Sequence, residues 1–420
     1  MTTHPPAAAV VDAPSSPSPS PSMRRLFGMI VPLNAAIYLI IGAVPGILLP
    51  LQVQEIDRAG KAAALALITG IGAFAAMIAS PVAGLLSDRT RSRFGRRTPW
   101  IAGGSLALAL SLAVMGLAKS VPQLIVAWVV VQIVLNFVIS PVTALLPDRV
   151  PAARRGSFAT VAGVSMMLGI VSGQAAGAAL SGQGLFAYAG LSAVLLIAVL
   201  AFVLVCPDTP STGQVNEPFD LKVFLRTFWV SPRRHPDFFW GFLARLALFT
   251  GYFVVTGYQL FILQDYVGLK DDAVDLVPLL GGINLVALVI TTSFSGPLSD
   301  RIGRRKPFVI ASSVVMGIGM AVPFAVPTVT GMIVYTVVAG LGFGMYSAVD
   351  AALMSEVLPG ESSYAKDLGV LNIAATLPQT IGPFLGGAIV TLAGYPALFP
   401  VALLLAVAGA LAIIPIRSVK

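Results

Sequence analysis

The chain has 420 residues and a formal net charge of +8; 57% of its residues are hydrophobic and only 10% are charged. Soluble globular domains carry roughly 25% charged residues, so this chain has too few charges to cover a soluble surface of its size. The 41 glycines and 31 prolines are frequent inside its apolar runs. Membrane helices tolerate them because neighbouring helices satisfy an interrupted backbone. The composition therefore predicts an all-α membrane protein and argues against a soluble enzyme.

Residue types that carry catalytic or metal chemistry are scarce. Cys206 is the single cysteine, which excludes an internal disulfide and a cysteine-based metal site. His4 and His235 are the only histidines, and neither has other candidate ligands near it in the sequence. The sequence contains no HExxH or CxxC motif and no phosphate-binding GxxxxGK loop. We therefore expect no enzymatic activity, no cofactor and no bound metal, and a process driven by an ion or substrate gradient.

Twelve apolar runs are long enough to cross a membrane, which requires about 20 residues each. Residues 1–22 precede them and are rich in proline, serine and alanine, so we expect a disordered tail there and no signal peptide. The predicted spans are 27–51, 62–86, 99–118, 122–147, 157–180, 185–206, 238–263, 275–298, 307–327, 329–355, 368–392 and 396–416.

The distribution of lysine and arginine predicts the orientation, because positive charge accumulates in cytoplasmic loops. With a cytoplasmic N-terminus, 21 of these residues fall in inner segments. Only four fall in outer loops: Arg58, Lys61, Lys119 and Lys270. We therefore expect a multi-pass protein of the cell membrane with both termini in the cytoplasm. The surplus charge is a topology signal, so no nucleic-acid partner is required.

The chain also contains an internal repeat. The longest inner connection, 207–236, separates six spans in 23–206 from six spans in 237–420. Between the second and third span of each half lies the same motif: GLLSDRTRSRFGRRTP begins at Gly84 and GPLSDRIGRRKP begins at Gly296. Repeated halves with an even number of spans lie parallel, related by an axis along the membrane normal. The sequence thus predicts two parallel six-helix bundles around a shared pathway.

These paired loops resemble the signature of the major facilitator superfamily, and the resemblance covers residues 23–420. The longer first loop is similar to that of the glycoside–pentoside–hexuronide:cation symporters and of the sucrose-transporter-like proteins. Segment 136–151 resembles their fourth span. The melibiose-type aspartates inside spans two and four are missing here, which argues against sodium coupling by that scheme. The resemblance implies a secondary transporter that works by alternating access.

The resemblance further implies that the loop residues latch the two halves together when the cytoplasmic side is closed. We expect Gly84 and Gly296 to allow close helix contact, and Asp88 and Asp300 to face a helix N-terminus. In the alternative interpretation the arginines only anchor the topology. The expected cytoplasmic gate comprises Gly84, Asp88, Arg89, Gly95, Arg96, Arg97, Asp148, Gly296, Asp300, Arg301, Gly303, Arg304, Arg305 and Glu356.

Two charged residues lie clearly inside predicted spans, Arg245 in the seventh and Asp350 in the tenth. A charge there costs roughly 2.5–3.5 kcal/mol on insertion scales, so it usually faces a cavity or a partner. Counting at 1.5 Å per residue puts Arg245 ~10 Å and Asp350 ~9 Å from the inner helix ends. Our hypothesis is that they pair and that Asp350 carries the coupling proton. The alternatives are a structural ion pair, or an Arg245 that extends to the inner interface.

Polar and aromatic side chains recur at helical spacing in several spans, and such a face suits the hydroxyls and C–H groups of a sugar. In the alternative interpretation, amides join helices through hydrogen bonds worth about 0.6 kcal/mol each. The candidate substrate-binding residues are Asn34, Tyr38, Gln132, Asn136, Arg245, Tyr252, Thr256, Gln259, Tyr346, Asp350, Asn372 and Gln379.

The function predicted from these patterns is proton-coupled uptake of a sugar or glycoside by a monomer. Efflux of drugs or metabolites on the same fold is the alternative, because a fold does not fix a function. A membrane-embedded enzyme would require a catalytic constellation, and an ion channel would require a continuous ring of pore charges. The sequence contains neither.

Overall fold

The computed structural model describes residues 21–212, 235–357 and 364–416. Within these ranges the chain forms twelve long helices. They are α1 (Pro21–Ala43), α2 (Lys61–Arg89), α3 (Thr98–Gly116), α4 (Val121–Arg149), α5 (Arg155–Ala179), α6 (Leu185–Val205), α7 (Pro236–Thr256), α8 (Ala273–Ile302), α9 (Lys306–Ala325), α10 (Val329–Val357), α11 (Tyr364–Ala393) and α12 (Leu398–Ile413).

A π-helical turn follows two of these helices. After α1 the chain passes through Val44–Leu48 into a further helical segment, Leu49–Ile56. After α7 it forms a short helix, Gln259–Phe261, and a second π-turn, Ile262–Tyr266. A π-turn adds a residue to one helical turn and is frequent at functional sites. In each half the turn lies just beyond the first long helix.

The predicted all-α membrane fold with twelve spans is confirmed. Eleven helices are long and apolar enough to cross a membrane, and α11 has a shorter apolar part, Leu377–Ala393. The seventh span was predicted to reach residue 263, but α7 ends at Thr256 because Gly257 and Tyr258 leave the regular helix. Pro21 and Ser22 form the first turn of α1 although the sequence assigned them to the tail. Residues 1–20 and 213–234 of the expected tail and linker lie outside the described residues.

The helix contacts of the first half recur in the second half with every helix number raised by six. In the first half α1 packs on α5 and α6, α2 on α4, and α3 on α4 and α6. In the second half α7 packs on α11 and α12, α8 on α10, and α9 on α10 and α12. The repeat in the sequence is therefore a repeat in packing.

Glycine makes the closest of these contacts possible. A methyl group added to Gly173 of α5 would come within 2.1 Å of the carbonyl oxygen of Leu39 on α1. In the second half, one added to Gly382 of α11 would come within 2.6 Å of the Phe253 side chain on α7. Small residues allow membrane helices to approach in this way.

The two halves meet through α2 with α11 and through α5 with α8. We call the end of the molecule with loops 90–97 and 303–305 the arginine-rich face, and the opposite end the far face. Ala66 of α2 lies against Gly387 of α11, and Gln174 of α5 lies against Gly281 of α8. Each of these four residues lies in the part of its helix nearer the far face. The halves are therefore closed against each other at the far face.

Candidate substrate pathway

An ion pair lies inside the second half, between α7 and α10. Nη1 of Arg245 is 3.3 Å from Oδ2 of Asp350, and the two side chains are 15% and 6% exposed. Tyr346, one turn before Asp350 on α10, donates a hydrogen bond of 2.7 Å to Oδ1. Both carboxylate oxygens of Asp350 thus have a partner. The structure brings together the two membrane charges that the sequence singled out.

Arg245 keeps one donor unused. Its Nε is buried and has no hydrogen-bond partner among the described residues. The guanidinium carbon lies 5.4 Å from the centre of the Phe249 ring, one turn further along α7, within the range of a cation–π contact. A fixed cation with an unbonded N–H can donate to an incoming oxygen.

A cluster of aromatic rings continues from this pair. Tyr252 and Phe343 stack with their ring centres 4.3 Å apart and an angle of 16° between the planes. Phe249 meets Phe343 edge-on at 5.3 Å and Tyr346 at 5.6 Å. Phe249, Tyr252 and Phe343 are each half-buried, so parts of their rings remain uncovered. We call Phe249, Tyr252, Phe343 and Tyr346 the aromatic wall. The sequence stripe predicted Tyr252 and Tyr346, whereas Phe343 has no polar signal that would single it out.

The second half holds four further candidates besides Tyr252: Thr256, Gln259, Asn372 and Gln379. The Tyr252 hydroxyl donates to Oδ1 of Asn284 on α8 at 3.2 Å, and no sequence pattern singles out Asn284. Thr256 donates its hydroxyl to the Tyr252 carbonyl one turn back, at 3.0 Å, which favours a structural role. Gln259 is half-buried beyond the end of α7, and Gln379 is exposed on α11. The side chain of Asn372 lies outside the described residues.

Two of the four first-half candidates, Asn34 and Tyr38, line a cavity of about 240 Å³ between α1, α4 and α5. Asn34 and Tyr38 contribute one wall, and Thr143 and Ala162 lie among the residues opposite. The side-chain amide of Asn34 donates to the carbonyl of Ala162 at 3.3 Å. This bond joins α1 to α5, so Asn34 has a structural partner as well as a place in the cavity wall.

The other two first-half candidates are neighbours on α4. Asn136 donates its amide to the Gln132 carbonyl at 2.9 Å, a bond within the same helix. Gln132 is half-buried beside Trp128, whose indole N–H is buried and has no partner among the described residues. The amide oxygen of Asn136 and the side chain of Gln132 remain candidates for ligand contact.

At the arginine-rich face, Arg97 is the centre of a network within the first half. Arg97 is buried; its Nε donates to Oδ2 of Asp148 at 2.8 Å, and its Nη atoms bind Asp88 and Ser87. Arg96 binds the other oxygen of Asp148 at 2.6 Å. A buried arginine with its donors this fully used fixes the positions of α2, α3 and α4 relative to one another.

The start of the predicted linker is attached to the same hairpin, which the sequence did not predict. The backbone N–H of Arg97 donates to Oδ2 of Asp208 at 3.2 Å, and Ser211 exchanges bonds with the backbone of Ser92. Gly95 has a φ of +85°, a left-handed conformation that favours glycine, and Asp208 occupies the space that a side chain would need.

The second half has a sparser version of this network. Arg305 lies 3.6 Å from Asp300, and Gly303 ends α8 with a φ of +65°. Arg301 and Arg304 are exposed, Arg89 of the first half is half-buried, and the side chain of Glu356 lies outside the described residues. Each ion pair named here joins residues of one half. The side chains of Asp88 and Asp300 are 56% and 68% exposed, so neither is covered by the opposite half in this conformation.

The close helix contact expected at Gly84 and Gly296 is not made. A methyl group added to either residue would meet no neighbouring atom within 4 Å. The physical reason is the state of the molecule: α2 meets α11, and α8 meets α5, near the far face, whereas both glycines lie near the arginine-rich face.

A family model described as MFS/sugar transport protein matches residues 40–414. The chain belongs to this family. It is therefore a multi-pass membrane transporter, and not an enzyme.

Relatives of this transporter align over short segments. An uncharacterized symporter of Synechocystis sp. is 54% identical over 55 residues, 13% of this chain and 10% of that protein. The arabinose-proton symporter of Bacillus subtilis is 28% identical over 129 residues, 29% of this chain and 28% of that protein. Monosaccharide-sensing protein 3 of Arabidopsis thaliana is 33% identical over 104 residues, 25% of this chain and 13% of that protein. The transporter thus matches less than a third of each of these relatives.

Solved structures match nearly the whole transporter. The nucleoside transporter NupG superposes with a TM-score of 0.73 and 14% identity, over 93% of this chain and 98% of that one. A bacterial homolog of the human lysosomal transporter Spinster superposes with a TM-score of 0.66 and 16% identity, over 95% of each chain. At these identities the likeness shows the fold alone.

Proposed function

We propose that this transporter takes up a sugar or glycoside together with a proton by alternating access. The observation that carries the proposal is the buried Asp350, held by Arg245 and Tyr346 beside the aromatic wall. An ionisable residue inside a membrane bundle is expensive and usually marks an ion or proton pathway. The sugar relatives add support for the substrate class.

The proposed coupling follows from the charge on Asp350. When its carboxylate takes up a proton, the carboxyl group becomes neutral and the ion pair with Arg245 is lost. Arg245 keeps its charge and can then donate to sugar oxygens, while the C–H face of the sugar stacks on Tyr252 and Phe343. Loss of the proton restores the pair and releases the sugar. Proton and sugar thus favour each other's binding.

We further propose that the arginine-rich face is cytoplasmic, as the positive-inside rule predicts for the cell membrane. Both termini would then be cytoplasmic, and the state described above would be closed to the outside. Residues 23–206 and 237–420 are proposed to move as two bundles of a monomer, joined by 207–236. Asp88 and Asp300 are proposed to latch the opposite half when the cytoplasmic face closes.

The test is uptake into proteoliposomes under an imposed pH gradient, with sugars, nucleosides and hydrophobic cations as substrates. Asp350→Asn should abolish uphill accumulation of the substrate while sparing its exchange, because the neutral amide imitates the protonated side chain. Asp271→Asn is the matched control, since Asp271 is an exposed carboxylate at the far face. Undiminished proton-driven accumulation in Asp350→Asn would refute the coupling. A response to hydrophobic cations without one to sugars would favour efflux.

A further inference from the structure

A charged contact joins the two halves at the far face. Lys61, the first residue of α2, has its Nζ 2.9 Å from both carboxylate oxygens of Asp265, which lies in the π-turn after α7. Tyr395, from the segment between α11 and α12, donates its hydroxyl to Oδ2 of Asp265 at 2.8 Å. The Asp265 carboxylate, in the second half, therefore binds Lys61 of the first half and Tyr395 of the second half.

The lysine is held in place from both sides. Its Nζ also donates to Oε1 of Gln54 at 3.2 Å, and it lies 4.6 Å from the centre of the Phe261 ring. The Lys61 side chain is 11% exposed and that of Asp265 is 35% exposed. Three contacts thus hold the ammonium, while the carboxylate keeps contact with solvent and can be rehydrated when the pair separates.

A second polar contact between the two halves lies beside the first, at Ala62, the residue after Lys61. The hydroxyl of Tyr258 is 2.8 Å from the carbonyl oxygen of Pro383 on α11 and 3.3 Å from that of Ala62 on α2. Other contacts of α2 with α11 are between small or apolar residues, as at Ala66 against Gly387 and Gly70 against Phe384. Such contacts have no directional preference. The Lys61–Asp265 pair and the Tyr258 hydroxyl therefore determine how the two halves align at this face.

We propose that Lys61, Asp265 and Tyr395 form a far-face latch that must break in every transport cycle and sets how often the far face opens. This inference rests on the alternating access proposed above, because Lys61 and Asp265 belong to opposite halves. The buried Arg97 network joins helices of one half and need not break in the cycle. The Lys61–Asp265 pair instead joins the two halves and is partly exposed, so solvent and salt weaken it and it can break in the cycle.

The latch can be tested without substrate by measuring access to a cysteine. In Gln174→Cys the thiol replaces a side chain that lies against Gly281 of the other half, so it is covered while the far face is closed. A membrane-impermeant maleimide is applied to the far face. The native Cys206 is buried beyond the end of α6, at the arginine-rich face, and burial raises the pKa of its thiol, so it should react slowly.

Lys61→Met and Asp265→Asn, each in this background, should raise the labelling rate about tenfold, which corresponds to about 1.4 kcal/mol. The charge exchange, Lys61→Asp with Asp265→Lys, should return the rate most of the way to the parent value. Lys119→Met is the control, because Lys119 is an exposed lysine in another far-face loop, and it should leave the rate unchanged. Unchanged labelling in both single variants, or no return in the exchange variant, would overturn the latch.

A second reporter separates gating from general loosening. Thr143→Cys places a thiol in the first-half cavity, on the part of α4 near the arginine-rich face. If opening the far face closes the arginine-rich face, the labelling rate of Thr143→Cys should fall when Lys61→Met is added. A rise at both reporters would mean that the substitution only loosens the fold, which also overturns the latch. Labelling requires neither sugar nor proton, so failure of the proposed uptake would leave this result unaffected and separately readable.

Discussion

Arg245 and Asp350 connect two helices of the second half that have different main neighbours. Arg245 is on α7, which packs on α11 and α12, whereas Asp350 is on α10, which packs on α8 and α9. The ion pair is therefore the principal polar contact described between α7 and α10. Tyr346 holds the same carboxylate from within α10. A change in the charge of Asp350 therefore alters the attraction between α7 and α10, and with it the attraction between the two groups of helices on which they pack.

Removing the cation alone should be costly to the fold. Arg245→Gln leaves Asp350 buried without its counter-ion, and breaking one side of a buried pair costs about 3 kcal/mol or more. We expect a clear drop in the thermal unfolding temperature of the purified protein. Arg245→Gln with Asp350→Asn removes both charges and should recover much of the loss. If the double variant unfolds as early as Arg245→Gln, the pair does not contribute to stability as proposed.

The aromatic wall should determine affinity more than stability. Phe343→Leu keeps a large apolar side chain but removes the ring that stacks on Tyr252 at 4.3 Å. A stacking contact of about 1.4 kcal/mol corresponds to a tenfold rise in KM for the proposed sugar substrate. Phe324→Leu on α9 is the matched control, because that ring is 56% exposed on the outside of the helix bundle. Equal changes in KM for the two variants would argue against a sugar site at the wall.

Much of the fold follows from local properties of the sequence. Each span is an apolar run of sufficient length, and the duplicated loop motif predicts that each helix contact in one half recurs in the other. The depths of Arg245 and Asp350 follow from counting residues along two helices, so their proximity could be anticipated. These inferences need only helix geometry and the thickness of the membrane.

What the sequence could not predict depends on tertiary contacts or on the state of the transporter. Lys61 and Asp265 are 204 positions apart, and no motif marks either residue. The end of α7 at Thr256 depends on the placement of Tyr258 between α2 and α11. The expected contacts of Gly84 and Gly296 concern the closed state of the arginine-rich face, whereas this conformation is closed at the far face.

The close contact between α1 and α5 leads to opposite predictions for two glycines of α5, Gly173 and Gly163. Gly173→Ala would bring a methyl group within 2.1 Å of the Leu39 carbonyl oxygen, so the helices must move apart. Overpacking of this kind costs about 1–3 kcal/mol, and we expect lower expression and earlier thermal unfolding. Gly163→Ala meets no atom within 4 Å and should be neutral. A Gly173→Ala protein as stable as Gly163→Ala would show that the two helices are not this close.

Asp88 and Asp148 should have separable roles at the arginine-rich face. Asp148 binds two arginines with a side chain that is 17% exposed, so Asp148→Asn should lower thermal stability. Asp88 is 56% exposed, so Asp88→Asn should express normally yet slow transport, because the proposed latch of the closed state is weakened. Initial uptake rates, normalised to the amount of folded protein, measure this. Unaltered transport in Asp88→Asn would count against the proposed latch at the arginine-rich face.

The orientation of the two arginine-rich hairpins decides the whole topology. Phe94 and Ile302 lie at these hairpins and are 57% and 53% exposed, whereas Gln183 is exposed in a far-face loop. Because six spans separate the hairpins, Phe94→Cys and Ile302→Cys should both react with an impermeant maleimide only in inside-out vesicles. Gln183→Cys should react only in right-side-out cells. Labelling of the two hairpins from opposite sides would require an odd number of spans between them, and the parallel repeat would then be impossible.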